Sequence, residues 1–95
     1  MVFFNSVKSL HELQHYLGSC GIATTALHSQ LSKEKRIRNY SHFRDGIQTV
    51  MLATDLGARG LDFPDLDLVL NYDFPHQLSD YLHRVGRTGR AVILV

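Results

Sequence analysis

The sequence predicts an α/β fold, an open parallel sheet with helices on both faces, and three observations predict it. Short bulky apolar runs alternate along the chain with segments whose apolar residues recur every three or four positions. One run, Thr49-Val50-Met51-Leu52-Ala53, is nearly continuous, the pattern of a strand covered on both faces. Polar residues follow the runs directly, at the strand ends where open α/β sheets gather ligands.

Val2-Phe3-Phe4 reads as the first strand, ending at Asn5 and Ser6. Val7, Leu10, Leu13, Tyr16 and Leu17 then put one apolar face on a helix that stops at Gly18. Beyond the Gly18 to Gly21 break, Ile22 to Leu27 is rich in Thr and apolar residues and predicts a second strand, with His28 at its carboxyl end. Ser32 reads as the N-cap of a second helix that ends at Asp45-Gly46. Ile37, Tyr40 and Phe43 mark its inner face, and Lys33, Lys35, Arg36 and Arg38 its outer one. The strand at 49–53 leads into Thr54 and Asp55. A loop follows, then a strand from Leu66 to Tyr72, a helix from Leu78 to Val85 and a last strand-like run from Ala91 to Val95. This alternation fits parallel strands joined by right-handed crossovers.

At 95 residues, with no repeat, linker or low-complexity tract, the chain reads as one domain around one core. Hydrophobic residues at 44% and charged residues at 20% are ordinary for a globular domain. A net charge of +1 is too small to attract nucleic acid in bulk, so any such surface rests on local placement of Arg and Lys. The single Cys20 excludes an internal disulfide, reads as a small buried or half-buried side chain, and fits a reducing, intracellular setting. Among six histidines only His11 and His15 share i,i+4 spacing, without an accompanying ligand pattern, so no metal site is predicted. No apolar run approaches the ~20 residues of a bilayer span, and Met1-Val2-Phe3-Phe4 lacks a basic leader and cleavage site. No membrane partner is expected.

The sharpest stretch runs from Tyr81 to Arg90 and carries Arg84, Arg87 and Arg90 with Gly86 and Gly89 around a helix end. Guanidinium forks match phosphate oxygens, and a phosphoryl-transfer site needs such cations where charge develops on the γ-phosphate. The plain alternative is a solvated basic helix end complementing the helix dipole. Upstream, Thr54 at a strand end can offer donors to a phosphate, and Gly57 and Gly60 permit close backbone approach. Asp55 and Asp62 suit loop and cap duty as well.

His83 to Arg90 closely resembles the last signature motif of the DEAD-box ATP-dependent RNA helicases, His-Arg-x-Gly-Arg-Thr-Gly-Arg, and Ala53 to Asp62 resembles the motif before it. The likeness extends from Val2 to Arg90 and is to the second, C-terminal RecA-like domain of that family. It implies that Arg87 and Arg90 are catalytic arginine fingers, and that Gly60 and Asp62 join them on the nucleotide, Asp62 as acceptor for a ribose hydroxyl. It implies RNA contacts at Ser6, His28, Ser29, Arg36 and Thr54, and interdomain coupling through His83, Arg84, Asp55 and Arg59. Val69 to Pro75 resembles the family's strand and turn before the last helix, with Asp73 a turn or interdomain residue. The chain departs from the pattern where Ser29 stands for Gly and Lys33 for Gln, and where Arg90 runs straight into Ala91.

The implied cofactor is ATP with Mg²⁺, the metal held by a first RecA-like domain, because no Gly-x-x-x-x-Gly-Lys-Ser/Thr loop or Asp-Glu-Ala-Asp tetrad occurs here. The expected partners are RNA, that first domain and regulatory proteins. Residues 1–95 then form a C-terminally shortened domain, inactive alone. Two other readings stay open: a non-catalytic truncated product that binds RNA or protein, and a DNA-directed translocase.

Overall fold

Five strands of three or four residues form the centre of the fold, and so short a strand persists only with a neighbour on its edge and side chains packed on its faces. The computed structural model describes residues 1–63 and 66–86 and the backbone of 91–93. The elements are β1 (Val2–Phe4), α1 (Val7–Ser19), β2 (Thr25–Leu27), α2 (Lys33–Arg44), β3 (Met51–Thr54), α3 (Asp55–Ala58), β4 (Val69–Asn71), α4 (Leu78–Val85) and β5 (Ala91–Ile93). The strands pair in the order β2-β3-β1-β4-β5, all parallel. Phe3 lies opposite both Ala53 and Asn71 in register.

Period-two alternation divides the apolar side chains into two clusters, one per face, rather than the single core expected. Phe3, Leu27, Met51, Ala53 and Val69 point to one face, where Tyr40 and Phe43 of α2 and Ala58 of α3 cover them. Val2, Phe4, Ala26 and Leu52 point to the other, where Leu10 and Leu13 of α1 cover them. Burial on both faces is why β1 and Met51 to Ala53 of β3 are apolar.

The predicted order of elements is the observed one, and the departures are local. Helix α1 runs past Gly18 because its stop is Gly21, at φ 81°. Gly21 N donates to Gly18 O and Ile22 N to Leu17 O, the paired bonds of a Schellman motif. Helix α2 ends the same way, with Gly46 at φ 78° and the bonds Gly46 N to Phe43 O and Ile47 N to His42 O. Cys20 caps α1 in an exposed position, not a buried one. Strand β2 begins at Thr25, and Ile22 is exposed. Ile37, expected inside, is 53% exposed, because Tyr40, Phe43 and Arg36 occupy the inward stripe of α2. The segment after β3, expected as loop, begins with the one-turn helix α3, nucleated by the Thr54 hydroxyl accepting from Gly57 N.

If Gly21 ends α1, Gly21→Ala lowers unfolding free energy by about 1 kcal/mol through left-handed strain. Gly18→Ala, inside the helix with open space around its Cβ, raises it by about 0.5 kcal/mol. Denaturant titration of the two variants checks both signs.

Candidate functional site

The polar residues that follow the strands gather around one buried side chain, Arg84. It is 1% exposed on α4, yet every N–H of its guanidinium has an acceptor. Nε donates to Asp55 Oδ1 at 2.8 Å and Nη2 to Asp55 Oδ2 at 2.6 Å, a bidentate fork. Nη2 also donates to Asn5 Oδ1 at 2.8 Å, and Nη1 donates to Asp73 O at 2.8 Å and to Asn71 Oδ1 at 3.3 Å. The guanidinium lies over the Phe3 ring, 5.3 Å from its centroid. Asn5 follows β1, Asp55 follows β3 and Asn71 ends β4, so one cation ties the carboxyl ends of three adjacent strands to α4. Asn71 Nδ2 is buried without a partner, because turning the amide over would aim N–H at the guanidinium.

The turn after β4 is bound into the same knot. Asn5 N donates to Asp73 Oδ2 at 2.9 Å and Asn5 Nδ2 to Phe74 O at 2.7 Å. Asp73 is therefore a turn residue whose carboxylate and carbonyl both work inside the domain. Sequence reading missed Asn5 as a hub: it stands directly after β1, but the burial of Arg84 that makes it an acceptor is not visible along the chain.

The two hydroxyls expected at the strand ends both serve as helix caps. Ser6 Oγ accepts from Ser9 N at 3.2 Å and starts α1; it remains exposed. Thr54 Oγ1 accepts from Gly57 N at 3.1 Å and is buried. That bond uses a lone pair and leaves the hydroxyl hydrogen as a donor. A Cβ at Gly57 would meet Leu27 O at 2.3 Å, so this glycine lets α3 rest against the end of β2. Gly60, at φ 79°, reverses the chain after α3.

Arg36, expected on the outer face of α2, turns inward. Its Nε donates to Gly57 O at 3.1 Å and Nη2 to Arg59 O at 2.8 Å, which bolts α2 to the segment holding Thr54, Gly57 and Gly60. Ser29 is exposed beside buried His28. Gln30 N donates to His28 Nδ1 at 3.2 Å, so neutral His28 carries its hydrogen on Nε2, which faces His11 Nε2 at 3.2 Å. Burial lowers the His28 pKa below its ordinary 6.5, and the neighbouring His11 lowers it further.

Arg59, Gly60, Asp80 and His83 border a cleft of about 270 Å³ whose floor is Phe3, Asp55 and Arg84. Arg59 and His83 are exposed there. Asp62 is exposed elsewhere: it lines a cavity of about 500 Å³ at the amino ends of the strands, beside Met1, Val2 and Phe43. Arg87 and Arg90 lie outside the described residues. Among the described residues no cluster of three His, Cys, Asp or Glu side chains could hold a metal ion, and no helix is long and apolar enough to cross a membrane.

Residues 1–92 match the family of the helicase conserved C-terminal domain. The chain is 48% identical over 91 residues to the ATP-dependent RNA helicase DRS1 of Mycosarcoma maydis, covering 96% of this chain and 10% of that protein. Among solved structures it resembles E. coli DEAD-box protein SrmB bound to regulator of ribonuclease activity A, with TM-score 0.90, 37% identity, and 99% of this chain and 59% of that one covered. It also resembles S. cerevisiae Dbp5 bound to RNA and ADP BeF3, with TM-score 0.88, 34% identity, and 99% and 27% covered. The chain thus spans about a tenth of the curated relative it matches.

Arg84→Met is expected to cost about 3–5 kcal/mol in denaturant unfolding, because Asp55 and Asn5 lose their common partner, and Arg84→Lys to recover less than half, having no fork. A folded chain that binds a proton at His28 more weakly than the unfolded chain does loses stability as pH falls. The contribution of neutral His28 is full above pH 6.5 and is lost as the pH drops below it, through the lowered folded value. The urea midpoint should therefore fall between about pH 7.5 and about pH 5.5, and fall less in His28→Gln.

Proposed function

Because the chain belongs to the helicase conserved C-terminal domain family, in its DEAD-box branch, we propose that it is the second RecA-like domain of an intracellular ATP-dependent RNA helicase, supplying arginine fingers and sequence-independent contacts to an RNA backbone. The observation that carries this reading is the 2.6–2.8 Å fork between Arg84 and Asp55. Asp55 follows Thr54, on the RNA side of the proposal, and Arg84 precedes Arg87 and Arg90, on the ATP side. One rigid link therefore joins the two motif segments that the function requires to act together.

The coupling role of Arg84 and Asp55 is internal, since the buried guanidinium has no donor left for another domain. Exposed Arg59 and His83, bordering the cleft, are the residues of this set that can face the first domain. The cleft can meet one side of a nucleotide phosphate tail: exposed Arg59 stands beside a glycine turn, with Asp80 and His83 on the same rim, and no phosphate-cradling loop occurs in residues 1–95. When bound between the domains, ATP with Mg²⁺ would supply the phosphoryl group whose transfer drives the cycle, with the metal held by the first domain. Arg87 and Arg90 stabilise negative charge on the phosphate, and Gly60 borders the cleft on the nucleotide's side, whereas Asp62 faces the cavity at the amino ends of the strands and is not among the groups bordering that cleft. Ser6, Thr54 and the His28-Ser29 backbone hold one RNA strand by phosphate and sugar, with Arg36 fixing the Thr54 segment through Gly57 O and Arg59 O, which makes binding insensitive to sequence. The RNA-bound Dbp5 likeness supports an RNA partner, and the SrmB complex supports regulatory proteins as partners. Without the first domain the chain does not hydrolyse ATP.

Arg87→Ala in the full-length parent should abolish RNA-stimulated ATP turnover while nucleotide binding remains measurable; turnover at the parental rate would remove the arginine-finger assignment.

A further inference from the structure

Two helix faces converge on the open edge of the sheet. Strand β2 is an edge strand on which α2 packs, and α1, packed on the neighbouring β3 and β1, reaches the same edge with His11 and Gln14. From α1 come His11 and Gln14, at i,i+3 spacing, and from α2 come Lys35, Arg38 and Asn39, at i,i+3,i+4 spacing. Together with Thr24 to Ala26 and the loop residues Gln30 and Leu31 they line a groove of about 410 Å³, open to solvent. No carboxylate is among the lining residues: Glu12 and Glu34, the sequence neighbours of His11 and Lys35, do not line it. Among the described residues the ion pairs are Arg44–Asp45 and Arg84–Asp55, so Lys35 and Arg38 bring uncompensated charge to the groove.

The groove is not built to accept another strand. Asn39 Nδ2 donates to Ala26 O at 2.9 Å and so occupies an edge carbonyl that β-addition would need. It is built from donors. The bond from Gln30 N to His28 Nδ1 sets the hydrogen of His28 on Nε2, that hydrogen points to His11 Nε2, and neutral His11 must then carry its own hydrogen on Nδ1. A backbone amide three residues past the strand thus presets His11 as a donor beside the two cations. Tautomer relay, uncompensated cations and absence of carboxylates all suit one ligand chemistry, a phosphate group.

We propose that the groove between α1, β2 and α2 receives phosphates of an RNA strand that crosses the sheet at His28-Ser29 and continues past its edge, with Lys35 and Arg38 as the charged contacts and His11, Gln14 and Thr24 as neutral ones. This rests on the RNA-binding reading above and extends it: His28 belongs both to the strand-end site and to the groove wall, so the two are continuous. Arg36, committed to Gly57 O and Arg59 O, faces away from this groove, which divides the cations of α2 between a structural and a ligand-binding side.

The test measures binding of single-stranded RNA to the full-length parent and to its Lys35→Gln/Arg38→Gln variant. One oligonucleotide is just long enough for the strand-end contacts and one is several nucleotides longer. Both side chains are exposed, so the variant keeps the fold, checked by circular dichroism. On the longer RNA the variant should bind roughly tenfold more weakly near physiological salt, with its log–log salt slope reduced by about 1.4, the loss of two single-strand phosphate contacts. On the shorter RNA its affinity should match the parent. Equal losses on both lengths, or none on either, would overturn the groove assignment while RNA binding by the parent still stands. No RNA binding by the parent at all would overturn the underlying reading as well. Binding of inorganic tripolyphosphate that the variant loses, with long-RNA affinity unchanged, would give the groove to a free polyphosphate and also overturn the RNA assignment.

Discussion

A cation taken out of water has to be met on every side, and Arg84 meets that requirement with five donors and five acceptors. The acceptors come from the ends of β1, β3 and β4 and from the turn after β4, so satisfying the charge and aligning the strand ends are the same event. Loosening any one partner would leave either a buried cation or a carboxylate short of a donor, which is why the strand ends cannot drift separately. The cost of that rigidity appears nearby, in the unpartnered amide hydrogens of Asn71.

The same economy governs the rest of the site. Ser6 and Thr54 each start a helix with the hydroxyl that the RNA reading also needs. Capping takes a lone pair; at Thr54 the hydroxyl hydrogen is left over, whereas at Ser6 it is given to Ser9 Oγ at 3.1 Å, although Ser6 is the more accessible. Gly57 is held by contact with the chain itself at the end of β2, more than by room for a ligand. Arg36 secures the same segment from the other side. Strand-end residues here are held first by one another, and a ligand meets what is left over.

Much of the fold was legible because burial on both faces leaves its mark along the chain: β1 and β3 up to Thr54 are apolar runs, and α4 is bounded where its pattern begins and ends. Boundaries went wrong where two signals compete. Gly18 and Gly21 are equally good breakers by composition, and only the left-handed φ at Gly21 decides which one ends α1. Ile37 follows helical spacing yet faces solvent, since the inward stripe is shared by Arg36, Tyr40 and Phe43.

By itself the sequence determined the α/β order, the caps at Ser32 and Gly46, and the family motifs with their place after the strands. Those depend on local periodicity, turn chemistry and residue identity, all of which are written along the chain. The tertiary structure decided which cations are free. Arg84, Arg36, Lys35 and Arg38 look alike in sequence, but two of them meet acceptors from residues twenty or more positions away and two do not. Hydrogen bonds across that separation exist only once the sheet has brought the strand ends together, so which arginine is structural and which can hold a phosphate is a property of the folded molecule.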